Sequence, residues 1–134
     1  MVKEDNNVQE NRILITGANG FLGQTILSQL QVAGLSVLAT DLGGVCCSLN
    51  TPYRKANIAQ AEDIKPLLEN ITTVIHVAGL AHVFNPDDLS VENFYKINEI
   101  GTKNVAAAAA TAGVRHFVLI SSVSVYGPYT HGIY

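Results

Sequence analysis

The chain has 134 residues, 48% of them hydrophobic and 14% charged, with a net charge of −3. That length fits one domain with a sizeable core, and so apolar a composition suits a sheet covered on both faces. The negative balance and the lack of a basic cluster argue against nucleic acid as a partner, and no apolar run reaches the roughly 20 residues that span a bilayer.

Residues 1–11 are polar and charged, lack the apolar core of a signal peptide, and are expected to form a flexible tail. An apolar run, Arg12 to Thr16, then reads as a buried strand, and Gly17, Gly20 and Gly23 follow at intervals of three. Chain reversal at Gly17 needs a residue without Cβ, Gly20 lets a phosphate approach the backbone, and Gly23 lets the next helix lie close. That helix is expected over 21–33, with Phe21, Leu22, Ile26, Leu27 and Leu30 at helical spacing and Gly34 as the stop. Its first N–H groups, around Phe21 and Leu22, are suited to a pyrophosphate. A nucleotide-phosphate loop of the Gly-Lys-Ser/Thr kind fails here, because Gln24-Thr25 follows Gly23.

A second strand, 36–40, ends at Asp41, within the spacing of an acid that binds a ribose. Glycine loop and acid together point to a dinucleotide. The adjacent Cys46 and Cys47 make neither an unstrained disulfide nor a zinc site. Reduced thiols without a leader lead us to expect a cytoplasmic protein and no metal centre. A short extended piece at 53–56 leads to Asn57-Ile58, and a helix at 61–69 is expected to be short or kinked by Pro66. A β-branched strand at 73–77 ends in Ala78-Gly79. A long helix is expected over 89–112, centred on the run Ala106 to Ala110 and closed by Gly113. A last strand, 116–120, ends at Ser121-Ser122. His76 reads as a satisfied core histidine, and His82, His116 and His131 show no metal spacing.

This alternation predicts an α/β fold: a Rossmann-type, doubly wound parallel sheet of order 3-2-1-4-5, with helices on both faces in a three-layer sandwich. The glycine loop, Asp41, Ala78-Gly79 and Ser121-Ser122 then converge at the carboxyl edge of the sheet. An unpaired edge at the last strand is expected to invite association.

Four motifs carry a family resemblance: Thr-Gly-Ala-Asn-Gly-Phe-Leu-Gly at 16–23, Val-Ile-His-Val-Ala-Gly at 74–79, Asn-Glu-Ile-Gly-Thr-Lys-Asn-Val at 98–105, and Ser-Ser-Val-Ser-Val-Tyr-Gly-Pro at 121–128. In this order and spacing the chain resembles the extended short-chain dehydrogenase/reductases, of the NAD-dependent epimerase/dehydratase type that acts on nucleotide sugars. The resemblance implies that Gly17, Asn19, Gly20, Phe21, Leu22 and Gly23 hold a pyrophosphate. It implies that Asp41 accepts both adenosine-ribose hydroxyls. A carboxylate there, with no cation at Leu42, favours NAD over NADP. Asn57 and Ile58 would border the adenine, where many relatives have Asp-Ile. Ala78, Gly79, Leu80 and Ser121 would line the nicotinamide end, with Asn98 as buttress. Ser122 falls at the family's catalytic serine or threonine, with Ser124 and Tyr126 near the substrate; Tyr126 and Tyr129 otherwise read as packing or loop residues.

Two departures follow from the same resemblance. The family's base is a tyrosine in Tyr-x-x-x-Lys, which does not occur here, and Tyr134 comes too early to serve. Residues 12–134 therefore read as the cofactor-binding N-terminal part of a longer enzyme, without a substrate lobe and unable to turn over alone. Val123-Ser124 replaces the Asp-Glu pair of 4,6-dehydratases, which favours an epimerase or a simple reductase. The implied partners are a nucleotide sugar and a second subunit packed on the long helix. Two alternatives stay open: a reductase or dehydrogenase of the 3β-hydroxysteroid or dihydroflavonol type, and a non-catalytic dinucleotide-sensing module.

Overall fold

Successive strand residues point to opposite faces, and that alternation decides which helix each strand meets. The computed structural model describes residues 11–46, 48, 50–80 and 91–126. Its strands are β1 (Arg12–Thr16), β2 (Ser36–Asp41), β3 (Tyr53–Lys55), β4 (Thr73–His76) and β5 (His116–Leu119). They pair in parallel in the order β3-β2-β1-β4-β5, as the alternation of elements predicts. Ile13, Ile15, Val37 and Ala39 face helix α1 (Phe21–Val32) and bury its Leu27. On the opposite face, Leu14, Leu38 and Val74 pack under Ile64, Leu67, Leu68, Val105 and Ala109.

The second face is covered by α2 (Ala61–Ile64) and by a long helix in three parts. α2 gives way to a 3₁₀ turn at Lys65–Leu68, because Pro66 has no N–H to continue the α ladder. The long helix begins as α3 (Val91–Phe94), passes through a π turn at Tyr95–Gly101, and ends as α4 (Thr102–Thr111). The expected long helix is thus present over 91–111, with a wider π turn before the alanine run resumes α geometry. Helices lie on both faces of the sheet, as expected, while the four residues of β5 stand exposed. Among the described residues, the helices cover β1, β2 and β4 and stop short of β5. Residues 1–10, Cys47, His82, the start of the long helix at 89–90, Gly127, Tyr129, His131 and Tyr134 lie outside the described residues. Asn11 lies inside them, its Oδ1 accepting from Arg115 Nη2 at 3.2 Å.

The turn from β1 into α1 is fixed by two contacts that admit no side chain. Gly17 has φ +69°, and a Cβ on it would lie 2.6 Å from the Ala78 amide nitrogen. A Cβ on Gly23 would lie 2.0 Å from the Gly17 carbonyl oxygen. Gly20 is different: its backbone is extended, and a Cβ would meet only Gly17 O at 3.4 Å. Gly23→Ala should therefore cost about 3 kcal/mol or more in urea unfolding, and Gly20→Ala less than about 1 kcal/mol. Equal costs would refute this division of labour between the glycines.

Candidate cofactor site

At the carboxyl edge of the sheet, the loops after β1, β2, β3 and β4 enclose a cleft of about 800 Å³. That is within the range of small-molecule sites, about 300–1,000 Å³. Gly17, Asn19, Gly20, Phe21, Leu22 and Gly23 form its floor, Asp41, Leu42, Asn57 and Ile58 one wall, and Ala78, Gly79 and Leu80 the other. Thr40, Ala56, Val77 and Ile97 also line it, and sequence reasoning had not singled them out.

The floor offers an anion the start of α1. Its N-cap is Gly20, no side chain caps it, and its first turn holds no acid. The positive end of the helix dipole therefore faces the cleft without an internal counter-charge. Beside it, Asp41 is held in place through both oxygens: Oδ2 accepts from the Asn19 amide at 2.9 Å and Oδ1 from the Leu42 amide at 2.7 Å. A carboxylate has about four acceptor positions, so two remain for a ligand. Asn19 ties the loops further, its Nδ2 donating to Val45 O at 2.9 Å. Tyr53 Oη shares its single proton between the carbonyls of Gly43 and, at 3.2 Å, Asp41. Burial, and then the Asp41 charge, raise the Tyr53 pKa, so the phenol stays a donor.

Asn57 closes a turn, with Oδ1 accepting from the Ala59 amide at 3.0 Å and its own amide donating to Asp63 Oδ2 at 3.0 Å. Its carbonyl oxygen keeps a second lone pair for an amino group. Asn98 clamps the far wall from the π turn, Oδ1 accepting from the Leu80 amide at 2.7 Å and Nδ2 donating to Leu80 O at 2.9 Å. Asn98 itself does not line the cleft; it acts through Leu80. Ser121 and Ser122 also stand outside the lining. They follow β5, exposed, with Ser122 O accepting from the Val125 amide at 3.2 Å.

Under the cleft runs a row of polar side chains: Thr40, Thr16 and His76, neighbours in register on β2, β1 and β4 and all buried. Thr16 Oγ1 lies 2.7 Å from His76 Nδ1, and His76 Nε2 lies 3.0 Å from Thr102 Oγ1. His76 is thus the satisfied core histidine expected from its place in an apolar strand, and burial pushes its pKa down to about 4. Thr40 Oγ1 is buried without a partner among the described residues. An unfilled donor beside the cleft, together with a Gly20 that packing does not require, fits a ligand lying across the loops. The row of Thr16, Thr40 and His76 follows from the register of the paired strands, which the sequence does not mark, while Thr102 was signalled by its place in Asn-Glu-Ile-Gly-Thr.

A family model described as the NAD dependent epimerase/dehydratase family matches residues 13–133. Human sterol-4-alpha-carboxylate 3-dehydrogenase, decarboxylating, is 32% identical over 124 residues, covering 92% of this chain and 32% of that protein. UDP-glucose 4-epimerase of Vibrio cholerae is 30% identical over 117 residues, covering 86% of this chain and 36% of that protein. A short-chain dehydrogenase/reductase superfamily protein from Agrobacterium tumefaciens, solved with bound NAD, superposes with a TM-score of 0.76 at 26% identity, covering 87% of this chain and 34% of that one. The chain thus spans about a third of the length of the curated relatives it matches. No helix among the described residues is long and apolar enough to cross a membrane.

The buried imidazole sets a pH dependence. An unfolded histidine takes up its proton near pH 6.5, the folded His76 only near 4. Stability should therefore fall as pH drops from about 6.5 to about 4, by on the order of 3 kcal/mol, and level off below. Urea unfolding across this window should show that loss in the native chain and a shallower one in His76→Asn; parallel profiles would refute it.

Proposed function

Because the chain belongs to the NAD dependent epimerase/dehydratase family, we propose that it is the cofactor-binding part of an oxidoreductase that uses NAD to oxidise and re-reduce a hydroxyl-bearing carbon of a nucleotide sugar. The observation that carries the cofactor assignment is Gly20: packing does not require a glycine there, yet it caps a bare helix start that faces the cleft. The Phe21 and Leu22 amides, with Gly17, Asn19 and Gly23 shaping the loop, hold the pyrophosphate. Asp41, already oriented by two amides, accepts the adenosine-ribose hydroxyls and repels a 2′-phosphate, so NAD is bound in preference to NADP. Leu42 brings no compensating cation. Asn57 and Ile58 border the adenine, and Ala78, Gly79 and Leu80, held by Asn98, border the nicotinamide ribose, with Ser121 beyond them.

When bound, NAD supplies the hydride acceptor and donor. The Ser122 hydroxyl is assigned to hydrogen-bond the substrate hydroxyl and orient it for deprotonation. No lysine-paired tyrosine occurs in these 134 residues, so this chain alone is proposed to bind cofactor and not to turn over. We place it in the cytoplasm as part of a homodimer. The second reading, a sterol dehydrogenase, is favoured by the identity to the human sterol-4-alpha-carboxylate enzyme. Incubation of the entire protein with NAD and either UDP-glucose or a 3β-hydroxysteroid separates the two: an epimerase converts the sugar to its epimer without net NADH, and a sterol dehydrogenase accumulates NADH. Turnover of neither would point to a sensing module.

Calorimetric titration of the chain should show NAD binding at least tenfold tighter than NADP. Asp41→Ala should weaken NAD by about tenfold, the scale of a lost hydrogen bond to a charged group. Gly20→Ala should fold normally and weaken NAD as well. Equal affinity for NAD and NADP, or no binding by folded chain, would overturn the assignment.

A further inference from the structure

The row beneath the cleft is directional. Thr16 Oγ1 accepts from the amides of Val77 and Ala78, each at 3.3 Å. A hydroxyl has two lone pairs and one proton, so with both lone pairs engaged its proton goes to His76 Nδ1, 2.7 Å away. Nδ1 is then an acceptor, the imidazole carries its proton on Nε2, and Nε2 donates to Thr102 Oγ1 at 3.0 Å. Two amides of the cleft wall are thereby linked, through three buried or half-buried side chains, to the first residue of α4. Four residues earlier on the same helix, Asn98 grips Leu80 through both its backbone groups. The wall at Val77–Leu80 is thus held by one helix at both ends, through His76 and at Leu80.

We propose that Thr102 is a positioning residue which, through His76 and Thr16, fixes the backbone of Val77 and Ala78 and so sets the affinity for the nicotinamide half of the dinucleotide. This rests on the dinucleotide reading of the cleft. The adenosine half meets the other wall, at Asp41, Asn57 and Ile58, which the relay does not touch. Loss of the relay should therefore discriminate between the two halves of the cofactor, where a general loosening of the core would not.

The test is paired titration of the chain with NAD and with ADP, which carries the adenosine and both phosphates but no nicotinamide. Thr102→Val should weaken NAD by about fivefold, the scale of one hydrogen bond, and change ADP by less than about twofold. Thr102→Ser should restore NAD binding. Imidazole ¹⁵N spectra should show His76 protonated on Nε2 in the native chain, and the Val77 and Ala78 amides should shift in Thr102→Val. These spectra need no ligand, so they read the relay even if NAD fails to bind. Equal weakening of both ligands, unchanged NAD affinity, or a proton on Nδ1 would overturn the relay while leaving the dinucleotide reading intact. Native chain that is folded but binds neither ligand would overturn the dinucleotide reading and with it the role in nicotinamide affinity, and the spectra alone would then decide the relay.

Discussion

The site depends on a backbone crossing with no room for a side chain. Gly17 passes so close to Ala78 that a methyl group would sit 2.6 Å from its nitrogen, and Gly23 presses α1 onto the Gly17 carbonyl. These contacts bring the exits of β1 and β4 and the start of α1 to one point. That point is also where the strand order turns back, between β1 and β4, the place at which parallel sheets of this kind open a crevice. Two of the loop's three glycines are thus required by the protein's own packing, and the third stands where a ligand would come.

The long helix braces both sides of that crevice. A Cβ on Gly101 would lie 2.7 Å from Ile58 Cδ1, and Asn104 Nδ2 donates to Ile58 O at 3.0 Å, which seats the helix against the wall at Asn57 and Ile58. Thr102 and Asn98 reach the opposite wall. Val105 and Ala109 meanwhile bury the helix on the core. The π turn at Tyr95–Gly101 widens the helix at Asn98, so the residues that grip Leu80 and His76 need not follow the register that packs the alanine run. Such turns are frequent at functional sites.

Much of this could be read from the residues. Glycines at intervals of three after an apolar run, and an acid at the end of the next strand, located the floor and one wall; β-branched runs and glycine stops located the strands, giving the observed order. Three features were not legible, for different reasons. The π turn leaves no periodic mark, because one added residue in a helix is lost among the tolerances of apolar spacing. The buried row of Thr16, Thr40 and His76 exists only once strands far apart in sequence are aligned, and that register is a property of the sheet. The exposure of β5 was not legible because three of its four residues are apolar, and coverage depends on neighbours and not on the strand itself. Ser121 and Ser122 follow that strand and stand outside the lining of the cleft.

The lining is also sparing with charge. Among the described lining residues only Asp41 is acidic, and none is Lys or Arg. An anion in this cleft is therefore met by oriented amides and the end of a helix, fixed dipoles that need no side-chain ordering, while the single carboxylate sits to one side at the end of β2. A ligand negative at its centre and hydroxyl-bearing at one end finds each feature matched, and extra negative charge at that end meets Asp41. In a chain of net charge −3, long-range attraction cannot supply such selectivity. It comes from the short distance between a helix start and one acid, and the glycine crossing fixes that distance.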